Sequence, residues 1–202
     1  MRKIVLASAS PRRKELLPLA LALFPGDLGF TVRPAECEES LPEGLAPEEM
    51  VTQLAECKAL ASAALGDGEE TVIGCDTLVF LDGKPFGKPR DAAEAEAMLM
   101  ALSGREHQVL TGVCLRQGEK ELLGFERTGV EFYPLEAELV RAYLATGEPM
   151  GKAGAYGMQG KGSVLVKGIH GCYFNVVGLP VAKLCRMLGR FWGRPDWEEM
   201  GR

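Results

Sequence analysis

Apolar residues along this 202-residue chain come mostly in short runs closed by glycine, proline or charged residues, and their period changes from run to run. Lys3 to Ala7 predicts a brief buried strand. Ser10-Pro11 then predicts a helix, with serine in the cap position and proline at the first helical residue. Thr31 to Pro34 predicts a second short strand, followed by an acidic, proline-punctuated loop from Glu36 to Pro47. Pro47-Glu48-Glu49 opens a long helix to about Leu65. Thr71 to Leu81 reads as a mostly apolar strand interrupted by Gly74 and Asp76. Asp82-Gly83 turns it back as a hairpin into a loop over Lys84 to Pro89.

Asp91 to Leu102 is rich in helix formers, with aspartate at the cap and Gly104 just past the end. Val109 to Arg116 and Leu122 to Tyr133 predict antiparallel strands joined across Gln117-Gly118-Glu119, and Glu136 to Ala145 predicts a helix stopped by Gly147. Seven glycines fall in the 21 positions from Gly151 to Gly171, a density that favours loops; Val164 to Val166 and Tyr173 to Val177 read as strands. Pro180 to Leu188 predicts a closing helix. From Phe191 onward no period is visible, although Trp192 and Trp197 could pin the end down. The expected class is α/β, a mixed β-sheet flanked by helices, arranged as one domain or two tightly joined lobes over residues 1–190 with a tail at 191–202.

Composition narrows the function. Hydrophobic residues make up 47% and charged residues 25%, which excludes disordered and collagen-like chains. With 23 basic against 28 acidic residues the net charge is −5, so general coating of nucleic acid is not expected and any anion must be held by a local cluster. The six cysteines (37, 57, 75, 114, 172 and 185) show no C-x-x-C spacing and read as reduced, mostly buried thiols of a cytosolic protein. The apolar run Ile4 to Ala7 falls short of the ~7 to 15 residues of an export signal. Leu16 to Phe24, broken by Pro18, is far shorter than the ~20 residues of a membrane span. A cytoplasmic, soluble protein is therefore expected.

Four features carry candidate chemistry. Arg12, Arg13 and Lys14 occupy the first turn after Ser8-Ala9-Ser10-Pro11, where cations oppose the helix dipole. An anion at that end would reconcile them, since backbone N–H groups, serine hydroxyls and guanidinium forks could converge on one phosphate; a solvated basic turn is the alternative. Asp76 stands in an apolar strand, where a carboxylate is costly unless paired, metal-bound or hydrogen-bonded, so it either faces a cleft or forms a structural salt bridge. Gly74 beside it would let something approach the backbone closely. Gly87-Lys88-Pro89 is either a surface turn or a lysine aimed at a phosphate. In Lys152 to Gly160, glycines permit backbone amides to face a ligand, and the Gln159 amide, which both donates and accepts, matches the O4 and N3–H edge of uracil or thymine. An exposed glutamine on a plain hairpin is the other reading. Neither phosphate-loop nor dinucleotide fingerprints occur, and His107 and His170 alone cannot build a histidine-rich zinc site.

Taken in order, Ser8 to Leu17, Gly74-Cys75-Asp76-Thr77, Gly87-Lys88-Pro89, Leu102 to His107, Lys152 to Gly160 and Val176 to Pro180 resemble the Maf family of nucleoside triphosphate pyrophosphatases, from about Ile4 to Leu188. The resemblance implies an inosine-triphosphatase-like fold with an elongated twisted sheet and a cleft between two lobes, often homodimeric. It implies hydrolysis of dTTP and UTP, or modified pyrimidine triphosphates, to the monophosphate and pyrophosphate, with a divalent Mg or Mn cation. Asp76 takes the family's proton-acceptor position, as base or as metal ligand. Ser8, Arg13, Lys58, Lys88 and Glu39 match positions associated with phosphate and metal binding, with Glu38 an alternative to Glu39. Arg12, Thr77 and Gln159 match the positions that distinguish the dTTP/UTP branch. Cys75, where alanine is common, and Gly151, where aspartate is common, depart from the pattern. A nucleotide-binding regulator of cell division and a pyrophosphatase for modified purines are the competing functions.

Overall fold

A computed structural model describes residues 2–26, 28–37 and 44–194. Glu38, Glu39 and Trp197 lie outside the described residues. In chain order the strands are β1 (Ile4–Leu6), β2 (Thr31–Val32), β3 (Thr71–Leu81), β4 (Lys84–Phe86), β5 (Glu106–Gln117), β6 (Lys120–Phe132) and β7 (Val166–His170). The helices are α1 (Pro11–Leu21), α2 (Pro47–Ala63), α3 (Ala92–Leu102), α4 (Ala137–Leu144), α5 (Tyr173–Val177) and α6 (Val181–Phe191). Strands hydrogen-bond in the order β2-β1-β3-β5-β6-β7, with β4 on β3. The expected mixed α/β class is borne out. The chain divides into two compact units, Met1–Asp76 with Thr111–Glu126 and Gly178–Arg202, and Thr77–Leu110 with Arg127–Val177.

In the first unit β1 lies between β2 and β3 and is parallel to both, with Val5 opposite Thr31 and Val72. Parallel neighbours need crossovers, and α1 and α2 supply them. Helix α2 sits directly on the strands because two positions beneath it lack a side chain. A Cβ on Gly74 would lie 2.2 Å from the Ala55 carbonyl oxygen, and one on Gly112 would lie 1.9 Å from that of Val51. Ala55 and Ala59 fill the contact with Val5, Val72 and Cys114. The close approach anticipated at Gly74 is thus made by the protein's own helix. Helix α6 runs three residues beyond the expected Leu188, because Leu184, Leu188 and Phe191 continue one buried stripe through Gly189. Trp192 holds that end: its indole N–H donates to Thr71 Oγ1 at 3.1 Å and its ring meets Phe24 edge-on at 4.9 Å.

In the second unit β3 and β4 form the expected hairpin, with Val79 opposite Phe86 and Leu81 opposite Lys84, so the start of the anticipated loop is a strand. Asp91 caps α3 by accepting from the Glu94 N–H at 2.8 Å. Two expectations are corrected. Lys161–Leu165 is a 3₁₀ helix and the strand starts at Val166. Tyr173–Val177 is helical, not extended: five apolar-rich residues carry no decisive period, and the helical turn buries Asn175, whose Nδ2 donates to the Val109 carbonyl at 2.9 Å and to Thr128 Oγ1 at 3.0 Å. The six cysteines form no disulfide; Cys75, Cys114 and Cys185 are buried and the other three half-buried. No helix among the described residues is long and apolar enough to cross a membrane.

His107 is structural. It is 2% exposed, meets the rings of Phe132 and Tyr156 edge-on, and shares a 2.7 Å hydrogen bond between Nε2 and the Tyr156 hydroxyl. Burial pushes its pKa down to about 4. The unfolded chain, with an ordinary value near 6.5, therefore binds more protons between these limits. The stability this group contributes is complete above pH 6.5 and is lost as pH falls towards 4. From pH 7.5 to 5 the loss is about 2 kcal/mol. In denaturant titrations at the two pH values, His107→Phe is expected to be less acid-sensitive by about that amount; equal slopes for the two proteins would contradict it.

Candidate functional site

The site of the first unit starts where β1 ends. Ser10 occupies the N-cap of α1 in extended conformation, but its hydroxyl makes no capping bond; its own N–H donates to Ser8 Oγ at 3.3 Å. Ser8 Oγ also accepts from Arg13 Nη1 at 3.1 Å. Arg13 is 9% exposed and donates from Nε to the Gly178 carbonyl at 2.8 Å and from Nη1 to the Cys75 carbonyl at 2.9 Å. One guanidinium thus ties the turn before α1, the end of the first-unit part of β3 and the approach to α6. Bonds from its rigid fork to three fixed oxygens hold the residue before Asp76 in place. Arg12, next to it, is half-buried, and desolvation followed by the neighbouring Arg13 charge holds its pKa below the usual arginine value. Glu15 opposes that shift, and a further anion at this end of α1 would oppose it more strongly.

Asp76 and Lys58 form an ion pair between Oδ1 and Nζ. Their side chains are only 13% and 19% exposed, so the pair is far from a solvated surface contact, and removing Lys58 takes its cation from a partly buried carboxylate. The Gly74 contact sets this up. By letting α2 rest on β3 at Ala55 and Ala59, it places Lys58 over the strand two residues before Asp76. Read from its helix alone Lys58 is an ordinary surface lysine; the signal that it is not lies in Gly74. The carbonyls of Cys75 and Gly178 carried no sequence signal, since backbone acceptors are invisible in residue types.

Ser8, Arg13, Lys58 and Asp76 are therefore brought together in the first unit, with Arg12 next to Arg13. Thr77, Lys88 and Gln159 belong to the second unit. Thr77 follows Asp76 along β3 and is half-buried; Lys88 and Gln159 are exposed. The Gly87 carbonyl accepts from the Gly154 N–H at 3.0 Å, which ties the Lys88 loop to the glycine-rich segment.

Among the described residues no three or more His, Cys, Asp or Glu side chains gather where they could cage a metal. Among the described residues, Asp76 is the carboxylate that stands beside Lys58 and the carbonyl bound by Arg13. A single carboxylate fits Mg²⁺ or Mn²⁺, which complete their shells with waters and substrate phosphate oxygens.

The family model described as Maf-like protein matches residues 3–191. The dTTP/UTP pyrophosphatase of Bacillus cytotoxicus is 48% identical over 191 residues, 95% of this chain and 96% of that one. Those of Symbiobacterium thermophilum and Pelotomaculum thermopropionicum are each 47% identical, over 95% of this chain and 95% and 97% of theirs. Among solved structures, a nucleoside-triphosphatase / dITP/XTP pyrophosphatase from Mycobacterium abscessus aligns with a TM-score of 0.48 at 18% identity, over 99% of this chain and 98% of that one. With its family model spanning nearly the whole described chain and relatives close to half identical end to end, the protein belongs to the Maf-like family.

Proposed function

We infer that this protein is a nucleoside triphosphate pyrophosphatase that hydrolyses dTTP and UTP, or modified pyrimidine triphosphates, and so clears the nucleotide pool. The observation that carries the site assignment is the Asp76 carboxylate, fixed by Lys58 and preceded by a carbonyl that Arg13 holds. In this reading Oδ1 stays on Lys58 while Oδ2 takes a proton from water. The water oxygen forms a bond to the α-phosphorus, the bond from that phosphorus to the α–β bridging oxygen breaks, and pyrophosphate leaves with the bridging oxygen. The proton then passes from Asp76 to solvent, so triphosphate and water become monophosphate and pyrophosphate. Ser8, Arg12, Lys58 and Lys88 are assigned to the phosphates, and Arg13 holds Ser8 ready to donate to them. Thr77 and Gln159 are assigned to the base. A divalent cation would neutralise charge developing on the phosphate oxygens; those oxygens and Glu39 would hold it where Asp76 is the base, and Asp76 would join them where it serves as metal ligand instead. The inferred setting is the cytoplasm, and the inferred assembly a homodimer.

A panel of nucleoside triphosphates with pyrophosphate and orthophosphate detected separately tests the reading. Pyrophosphate from dTTP and UTP, with Mg²⁺ or Mn²⁺ present, is the expected product. Orthophosphate as the sole product would rule out cleavage between the α and β phosphorus atoms, and binding without turnover would favour a regulatory protein.

A further inference from the structure

Gln159 is useful as a base reader only if its position is fixed. An amide both donates and accepts and turns over about its own side-chain bond, so what the backbone can fix is the place from which it meets the base edge. The residue is exposed and sits in a stretch of glycines, which by composition alone would be mobile. Yet the backbone on both sides of it is held by two side chains from the segment at and after the end of α4.

On the leading side, the Gly157 N–H donates to the Tyr143 hydroxyl oxygen at 3.1 Å. That hydroxyl in turn donates to Glu148 Oε1 at 3.2 Å. On the trailing side, the Lys161 N–H donates to Glu148 Oε2 at 3.0 Å and the Gly162 N–H to Oε1 at 3.1 Å. The Lys152 ammonium donates to the Glu148 main-chain carbonyl, so the beginning of the segment is tied to the same residue. The loop is drawn in so tightly that a Cβ on Gly162 would fall 2.4 Å from the Gly157 carbonyl oxygen and 2.6 Å from the Tyr143 hydroxyl. Tyr143 itself is 3% exposed and packs in the core of the second unit, so one side of the clamp is anchored in the core, while Glu148 stands in the turns that follow α4. The carboxylate stays ionised: although burial opposes it, bonds from Lys161, Gly162 and Tyr143 and the nearby Lys152 charge hold its pKa below the usual range.

We propose that Glu148, acting with Tyr143, is a positioning residue for base selectivity, clamping residues 157–162 so that the Gln159 amide is held at a fixed place beside the pyrimidine edge. Neither side chain is assigned a contact with substrate. The idea rests on the reading of Gln159 as the residue that recognises the base.

Glu148→Gln is nearly isosteric but turns one accepting oxygen into a donor facing backbone N–H groups. Tyr143→Phe removes the hydroxyl that links Gly157 to the carboxylate. Steady-state kinetics with UTP and CTP are measured for wild type, both variants, Gln159→Ala and the double variant Glu148→Gln/Gln159→Ala, each checked by thermal melting. Glu148→Gln is expected to raise KM for UTP about tenfold with kcat within about twofold, and to shrink the UTP-over-CTP ratio of kcat/KM by a similar factor. Tyr143→Phe is expected to do the same more weakly. In the Gln159→Ala background the Glu148 change is expected to move the ratio no further, as for residues acting through one another. A Glu148→Gln variant that melts lower but keeps the wild-type ratio, while Gln159→Ala loses it, overturns the clamp and leaves the reading of Gln159 intact. An unchanged ratio in Gln159→Ala overturns the reading of Gln159 and the proposal with it.

Discussion

Asp76→Asn is expected to cut pyrophosphate release from UTP by about 10²-fold or more while nucleotide binding stays within a few-fold of wild type. Asparagine keeps the shape and can still accept from Lys58, so the ion-pair partner is not displaced from β3. What it loses is affinity for a proton. Loss of turnover with retained binding therefore isolates the chemical role from the architectural one. The counter-experiment is Lys58→Met, which leaves the Asp76 carboxylate partly buried without its cation and is expected to lower melting temperature as well as activity. If Asp76→Asn retained turnover within about threefold of wild type, the carboxylate would be an element of the fold, and the catalytic base would have to be sought elsewhere.

The second large effect concerns the helix that carries Lys58. Gly112→Val places a Cβ 1.9 Å from the Val51 carbonyl oxygen and 2.8 Å from the Thr52 nitrogen, both backbone atoms of α2. Neither can yield as a flexible side chain would, so the helix must move off the strands. A loss of about 3 kcal/mol or more is expected. For a chain of this length that corresponds to a fall in melting temperature of about 6 °C or more. Gly74→Ala, with a Cβ 2.2 Å from the Ala55 carbonyl oxygen, should lower stability and also disturb the Lys58–Asp76 pair, so activity should fall further than stability explains. Gly29→Ala is the control: it is exposed with nothing within 4 Å of the added carbon and should be neutral to within about 0.5 kcal/mol. A Gly112→Val protein that melts like wild type would refute the packing account of how the site is held.

Much of this was legible in the residues where the physics is local. The apolar run Thr71 to Leu81 matches β3 end to end, and Asp91 declares its own helix because a short acceptor side chain at that position has a backbone N–H to satisfy. What local reasoning could not supply was partnership across the chain. Gly74 signalled that something approaches the strand, but only folding shows that α2 does and that Lys58, 18 positions away, is delivered to Asp76. Arg13 was visible as a cation at a helix start; its bonds to the carbonyls of Cys75 and Gly178 depend on backbone placed 62 and 165 residues further on. Tyr173–Val177 departs from the strand its residues suggest because a five-residue segment is too short for its period to decide, and the hydrogen bonds of Asn175 decide instead.

The claim that water attacks the phosphorus nearest the sugar is tested most directly by hydrolysing UTP in water enriched in oxygen-18 and weighing the two products. The account predicts one labelled oxygen in the uridine monophosphate and none in the pyrophosphate. Label in the pyrophosphate instead would place the attack on the β-phosphorus and contradict it.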